Sequence, residues 1–336
     1  MSLVGTTVKT AAIFGCSTTR LLPEESDFFA RVRPFGFILF ARNIESHEQI
    51  RSLCTALRQA VGWNAPIFID QEGGRVQRLR APLAREWPTP LDHAEQAGSK
   101  APIQIFERYK EIAQELRALG ITANCAPVAD IARSQSHPVL RNRCFGSSPE
   151  QVTKLAKAAA EGLLAGGVLP VIKHIPGLGR AAVDSHTEPP YVRATLKELG
   201  SSDFRPFQDL CLYSMGMTTH VIFEALDQQP ATVSPTVISL IRDEIGFDGL
   251  LMTDDISMEA LNGPVEERSR SALDAGCDVT LHCNGQLEEM RKIATLCPLN
   301  CAKAAERMQR VMDQHSALSE LVNSKKMVKE GGLHDR

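Results

Sequence analysis

Eight times along the chain a short apolar run is followed by a stretch with helical period, and that repetition leaves few folds open. The apolar runs are Thr10 to Gly15, Phe35 to Phe40, Pro66 to Asp70, Thr122 to Asp130, Val168 to His174, Met217 to Glu224, Gly249 to Asp254 and Asp278 to Cys283. The helical stretches are Ser46 to Val61, Pro102 to Leu119, Ser148 to Ala165, Thr195 to Ser214, Ser234 to Glu244, Val265 to Ala275 and Gln286 to Leu296, with Cys301 to Leu321 closing the series. Several open on a Ser or Thr suited to N-capping, and several end near Gly120, Gly166, Gly246 or Gly276, where glycine accepts a left-handed terminal turn. Strands that alternate with helices pair in parallel, and eight such units in a row predict an α/β fold closed as a single (β/α)8 TIM-type barrel, with an open doubly wound sheet as the alternative.

The length of 336 residues fits one barrel domain, expected over 1–322, followed by a polar tail over 323–336 that has no apolar period and is expected to fray. With 43% apolar residues the chain can bury a large core, and a formal charge of -3 offers neither the basic field of a nucleic-acid binder nor an acidic tail. Met1 to Arg20 lacks the layout of a secretory signal, and no apolar run reaches the roughly 18 residues of a membrane span. The nine cysteines are scattered without a Cys-x-x-Cys pair. These features predict a soluble cytoplasmic protein, a monomer, with no nucleic acid or membrane among its partners. Cys297 and Cys301 are the nearest thing to half a metal site, but no closing pair exists, so no metal and no cofactor are expected.

Candidate chemistry concentrates at the ends of the apolar runs and in the loops that follow, where barrel enzymes carry their sites. Asp70 ends the third run and precedes Gly73-Gly74 and the arginines Arg75 and Arg78, spaced so that one guanidinium can return over the pocket. A carboxylate with an arginine fork suits a polyol, because the one accepts hydroxyl protons and the other fixes an oxygen. Arg143, in the loop after the fourth run, is placed to reach a substrate oxygen or to pin its loop by a salt bridge. Asp130 is read as an acid that supports a neighbouring site residue or as a helix cap, without chemistry of its own.

Lys173-His174 ends the fifth run. Consecutive strand residues face opposite sides, so only one is expected to point inward unless a bulge intervenes. The loop Ile175-Pro176-Gly177-Leu178-Gly179 then carries Asp184 and His186 back toward the mouth, and an acidic neighbour is what a His needs to hold its charge and tautomer. A Schiff-base role for Lys173 is the rival reading and requires a lowered pKa. In the seventh run Asp254 should continue the inward face, while Asp255 turns away or caps the next helix, which makes Asp254 the candidate nucleophile. His220 and His282, single histidines in apolar runs, read as core residues, with His220 and Glu72 held as the next candidates for acid/base work.

Taken together, these residues resemble the family 3 glycoside hydrolases, and within them the single-domain bacterial β-N-acetylglucosaminidases of cell-wall recycling, the NagZ type. The matching segments run from Gly36-Phe37-Ile38-Leu39-Phe40-x-Arg42-Asn43 through Asp70 to Val76, Lys173-His174-x-Pro176-Gly177-x-Gly179, Asp184-Ser185-His186 and Thr253-Asp254-Asp255-x-Ser257-Met258 to Ala275-Gly276-Cys277-Asp278. The resemblance implies that Asp254 is the nucleophile, His186 the general acid/base and Asp184 its partner, while Asp70, Arg78, Arg143, Lys173 and His174 hold the N-acetylglucosaminyl unit. It implies a retaining exo-hydrolase acting on muropeptide fragments, N-acetylglucosamine on 1,6-anhydro-N-acetylmuramic acid with or without peptide. Phosphorolysis is the alternative in chemistry, and a non-catalytic amino-sugar-binding barrel the alternative in class. One departure stands out: the family's Pro-Gly-His-Gly reads Pro176-Gly177-Leu178-Gly179 here.

Overall fold

The computed structural model describes residues 7–181 and 190–331, the last ten of these by their backbone alone. Eight parallel strands form the barrel: β1 (Thr10–Gly15), β2 (Pro34–Leu39), β3 (Ile67–Ile69), β4 (Ala123–Asn124), β5 (Leu169–Pro170 continuing as Ile172–Ile175), β6 (Met215–Thr218), β7 (Leu250–Asp255) and β8 (Val279–His282). β1 pairs with β2 on one side and β8 on the other; β5 closes the ring, its first part on β4 and its second on β6. The expected single (β/α)8 barrel is the fold observed.

Two apolar layers follow from the alternation of side chains along each strand. Ile13, Phe68, Cys125, Val171, Met217, Met252 and Leu281 point inward and are closed from below by Met308, Val311 and Met312 of the last helix. Phe14, Phe37, Ile69, Ile172 and Leu251 face outward against the helices. On β7 the inward set is Leu250 and Met252, so the next residue of that face is Asp254.

Several elements differ from the sequence reading. A helix, Pro23–Val32, fills the first βα connection; its signals were a proline at its first position and an acidic first turn, but Phe28 and Phe29 are adjacent and give no helical spacing. The stretch Thr195 to Ser214 holds two short helices, Leu196–Ser201 and Arg205–Asp209, and a further helix, Pro90–Ala97, lies in the Pro-containing stretch Leu79 to Ser99, whose sequence reads as an irregular insertion. The sixth run stops as a barrel strand at Thr218, and Ile222–Phe223 instead pairs with Tyr191–Val192. The final helix spans Ala302–Gly331, so helical backbone continues into the segment expected to fray as far as Gly331, before which that segment has no Pro or Gly.

Candidate active site

The C-terminal ends of β2, β3, β5 and β7 and the loops after them surround a cavity of about 120 Å³. Asp70, Arg78, Arg143, Lys173, His174 and Asp254 all line it, with Phe40, Leu178 and Met258 as apolar wall. Six of the eight residues to which the family resemblance gives a role are therefore brought together. The other two, Asp184 and His186, lie outside the described residues. A larger crevice of about 370 Å³ at the opposite end borders Arg242, Asp278 and Arg307. There Asp278 accepts from Arg242 at 2.7 Å and Arg307 at 2.9 Å, a network that ties strands to helices at the end of the barrel where stability resides.

The cavity floor is an ion network. Lys173 Nζ donates to Asp70 at 3.0 Å and lies 2.7 Å from Glu72. Asp70 also accepts from Arg78 at 3.0 Å, while Glu72 accepts both arms of the Arg143 fork at 2.9 and 2.8 Å. The hairpin Gln71–Gly73 and Val76–Gln77 turns Arg78 back beside Asp70, leaving Arg75 exposed at its tip. Gly73, at φ 106°, sits where a Cβ would overlap the guanidinium of Arg108, the buried arginine that holds the Glu72 carbonyl. Phe40 lies between two guanidinium groups, with Arg42 and Arg78 5.1 and 5.0 Å from its ring centre.

Burial alone would raise the pKa of these carboxyls, but the cations reverse it. Lys173 and Arg78 hold Asp70 well below the usual carboxylate range, and Arg143 and Lys173 hold Glu72 down to about 2. On Lys173, burial is outweighed by Asp70 and Glu72, which raise its pKa above the ordinary lysine value. A charged Lys173 is no Schiff-base nucleophile, and the aldolase-type reading is set aside.

Lys173 and His174 both enter the site, where only one was expected to point inward. The pairing of β5 with β6 shifts register between Met217 and Thr218, opposite these residues, and breaks the simple alternation. His174 Nε2 faces Arg143 at 3.3 Å, and because an arginine only donates, this nitrogen accepts and Nδ1–H donates to Asp130 at 2.7 Å. Asp130 also accepts from the amides of His174 and Leu178 at 3.3 and 2.6 Å. It thus orients His174 and fixes the start of the loop beyond it. Leu178, at the position where a His was noted to be usual, turns an apolar side chain to the cavity.

Asp254 is partly exposed at the end of β7, its Oδ1 accepting from the Asp255 amide at 2.8 Å. Burial pushes its pKa up, yet His174, His220 and the Asp255 amide outweigh this and hold it below the ordinary aspartate value. Asp255 also borders the cavity, where it was expected to turn away or cap a helix, but its carboxylate is taken up by Ser257 and the Cys283 amide. His282 faces the helix layer, 2.7 Å from Glu289 and edge-on to Phe14. His220 is buried with both ring nitrogens occupied, Nε2 on the Asp255 carbonyl at 3.0 Å and Nδ1 on Thr232 Oγ1 at 2.7 Å. Burial drives its pKa down, only partly offset by Asp254. Neither fallback acid/base candidate is free for that work, His220 because both nitrogens are engaged and Glu72 because it is ionised and clamped. The sequence reading missed the tight coupling of Glu72 to Arg143 and Lys173 and the stacking of Phe40, and of the two readings left open for Asp130 the supporting acid is the one observed; carboxylates at strand ends were the available signal for Glu72 and Asp130.

Among the described residues no group of three or more His, Cys, Asp or Glu is placed to hold a metal ion, and no helix is long and apolar enough to cross a membrane.

Residues 25–315 match the glycosyl hydrolase family 3 N-terminal domain. The β-hexosaminidase of Alkalilimnicola ehrlichii is 38% identical over 281 residues, covering 81% of this chain and 80% of that protein. Among solved structures, NagZ from Neisseria gonorrhoeae in complex with N-trifluoroacetyl-D-glucosamine superposes with a TM-score of 0.83 at 29% identity, covering 94% of this chain and 93% of that one. A family 3 β-N-acetylglucosaminidase from Paenibacillus gives a TM-score of 0.81 at 29% identity, and the chain, covered to 95%, spans only 62% of that longer protein. A strand-end aspartate in an ionised polar cavity, on a barrel matched over most of its length, identifies the chain as a glycosidase belonging to glycosyl hydrolase family 3.

Proposed function

We propose that the protein is a retaining exo-β-N-acetylglucosaminidase that releases terminal N-acetylglucosamine from muropeptide fragments, including those ending in 1,6-anhydro-N-acetylmuramic acid with or without peptide. The observation that carries the reading is the Asp254 carboxylate, held ionised at the mouth of a cavity small enough for one sugar ring and lined by Asp70, Arg78, Arg143, Lys173 and His174. Lysine and arginine donors fixed in advance by Asp70 and Glu72 suit sugar hydroxyls and an acetamido carbonyl, because their geometry is set before substrate arrives. The likeness to β-hexosaminidases and to a structure holding an N-acylglucosamine supports the same sugar.

In the proposed double displacement, Asp254 Oδ2 attacks the anomeric carbon while Oδ1 stays on the Asp255 amide. The anomeric carbon–oxygen bond breaks as the leaving oxygen takes a proton from His186, which Asp184 keeps charged and oriented. The imidazole, then neutral, accepts a proton from water, and the resulting hydroxide-like oxygen displaces Asp254, so configuration is retained. A cationic acid beside an anionic nucleophile attracts it, where two carboxylates would repel. Support for placing this acid on the Asp184–His186 segment comes from the engagement of Glu72 and His220 elsewhere. A cytoplasmic place in cell-wall recycling belongs to the same proposal.

The test is turnover of 4-nitrophenyl β-N-acetylglucosaminide, with and without phosphate, alongside the natural disaccharide. The proposal expects free N-acetylglucosamine from both substrates at a rate indifferent to phosphate. A sugar 1-phosphate as the main product would make the enzyme a phosphorylase, and binding without turnover would leave an amino-sugar-binding barrel.

A further inference from the structure

We propose that His220 is a positioning residue for the nucleophile, holding the Asp254–Asp255 turn through the Asp255 carbonyl. The inference rests on the proposed assignment of Asp254 and goes beyond it, because His220 touches neither a sugar subsite nor the leaving group.

Three anchors converge on residue 255. Its amide donates to Asp254 Oδ1 at 2.8 Å, its carboxylate accepts from Cys283 N at 3.2 Å and Ser257 N at 3.1 Å, and its carbonyl accepts from His220 at 3.0 Å. The residue that aims the nucleophile is thereby fixed by its main chain and its side chain together. A carbonyl cannot donate, so His220 Nε2 carries the proton, and this sets the tautomer. Nδ1 then carries no proton and faces Thr232 Oγ1 at 2.7 Å, a hydroxyl whose one hydrogen is shared between Nδ1 and the Thr219 carbonyl at 2.9 Å and whose oxygen lies 2.8 Å from the Thr218 hydroxyl at the end of β6. Through this chain β6 and the Ala231–Val233 turn are tied to the end of β7.

A buried imidazole is a costly way to fill space, since an apolar side chain of similar volume would need no partners. What the imidazole adds is one directed donor on the Asp255 carbonyl. An attacking oxygen displaced by a fraction of an ångström loses alignment with the anomeric carbon, while ground-state sugar contacts made by Asp70, Arg78 and Lys173 stay in place. The inference therefore predicts a defect in turnover rather than in binding.

The experiment compares His220→Phe, His220→Gln and Thr232→Val on 4-nitrophenyl β-N-acetylglucosaminide, measuring kcat, KM, the inhibition constant of free N-acetylglucosamine and the melting temperature. His220→Phe should lower kcat by about 10²-fold with KM and product inhibition changed less than about threefold. His220→Gln, whose amide N–H has similar reach, should regain about tenfold, and Thr232→Val should fall between parent and Phe. Equal losses in Phe and Gln, a rise in KM without a fall in kcat, or loss of folding in all three variants would place His220 in the core as a packing residue and overturn the inference. Asp254→Ala separates the two claims. If it stays active, the nucleophile assignment has failed; if it is inactive while His220→Phe turns over normally, only the role of His220 has.

Discussion

Glu72 is the residue whose replacement should say most about how the site is held together. It is 1% exposed, takes both arms of the Arg143 fork, and lies 2.7 Å from Lys173. Glu72→Gln keeps the shape and removes the charge, leaving Lys173 its contact with Asp70 and Arg143 only the longer-range attraction of Asp70 and Asp254. Two routes give the size of the effect. The drop of the carboxyl from 4.5 to about 2 corresponds to about 3 kcal/mol of preference for the ionised form in the folded state. Breaking a buried ion pair by neutralising one member typically costs about 3 to 5 kcal/mol. The raised pKa of Lys173 reflects the same contact and is not added again. Because the folded-state pKa is depressed, the stabilisation is present in full above pH 4.5 and is lost as pH falls from there toward about 2. Urea unfolding of parent and variant across that range should show a difference of about 3 kcal/mol at neutral pH that shrinks in acid. A difference of the same size at every pH would mean that the amide packs badly and that charge is not the cause. A difference below about 1 kcal/mol would mean that the cluster is solvated and contributes like a surface pair.

Further outcomes follow from the same geometry. Asp70→Ala should cost about 2 to 4 kcal/mol in transition-state stabilisation, read as kcat/KM, since it removes the proposed sugar acceptor and releases Lys173 and Arg78 together; a change within about threefold would place Asp70 outside sugar contact. His186→Ala should spare glycosylation from activated aryl leaving groups far more than from the natural disaccharide, and added azide should restore turnover; equal losses on both, without azide rescue, would move the acid/base role elsewhere.

The barrel was legible because its periodicity is written eight times, and the strand-end acids because a carboxylate ending an apolar run has few structural uses. Asp254 could be placed from alternation alone: Leu250 and Met252 face inward, so Asp254 does too. The same rule failed at His174, where a register shift between strands, a property of the pair, overrides the pattern of either. Asp130 could not be assigned from sequence, since its three hydrogen bonds reach His174 and Leu178 in a different βα unit. For the same reason Glu72 read as a reserve acid/base candidate, although Arg143 and Lys173 come to it from the loops and strands of two later units and clamp it. His220 looked like a satisfied core histidine and is one; its connection to Asp255 depends on how β6 and β7 lie side by side. The helix Pro23–Val32 was overlooked because its buried phenylalanines are neighbours in sequence.

Covalent attachment of the sugar to Asp254 is what the proposed mechanism stands on, and peptide mapping by mass spectrometry detects that bond itself. Parent enzyme and His186→Ala are mixed with 4-nitrophenyl β-N-acetylglucosaminide, quenched in acid within the first turnovers and digested. An N-acetylglucosaminyl ester is expected on the peptide containing Asp254, more abundant in His186→Ala, absent in Asp254→Ala, with product of retained β configuration by proton NMR. A sugar found on another residue, or product of inverted configuration with no ester at any time point, would contradict it.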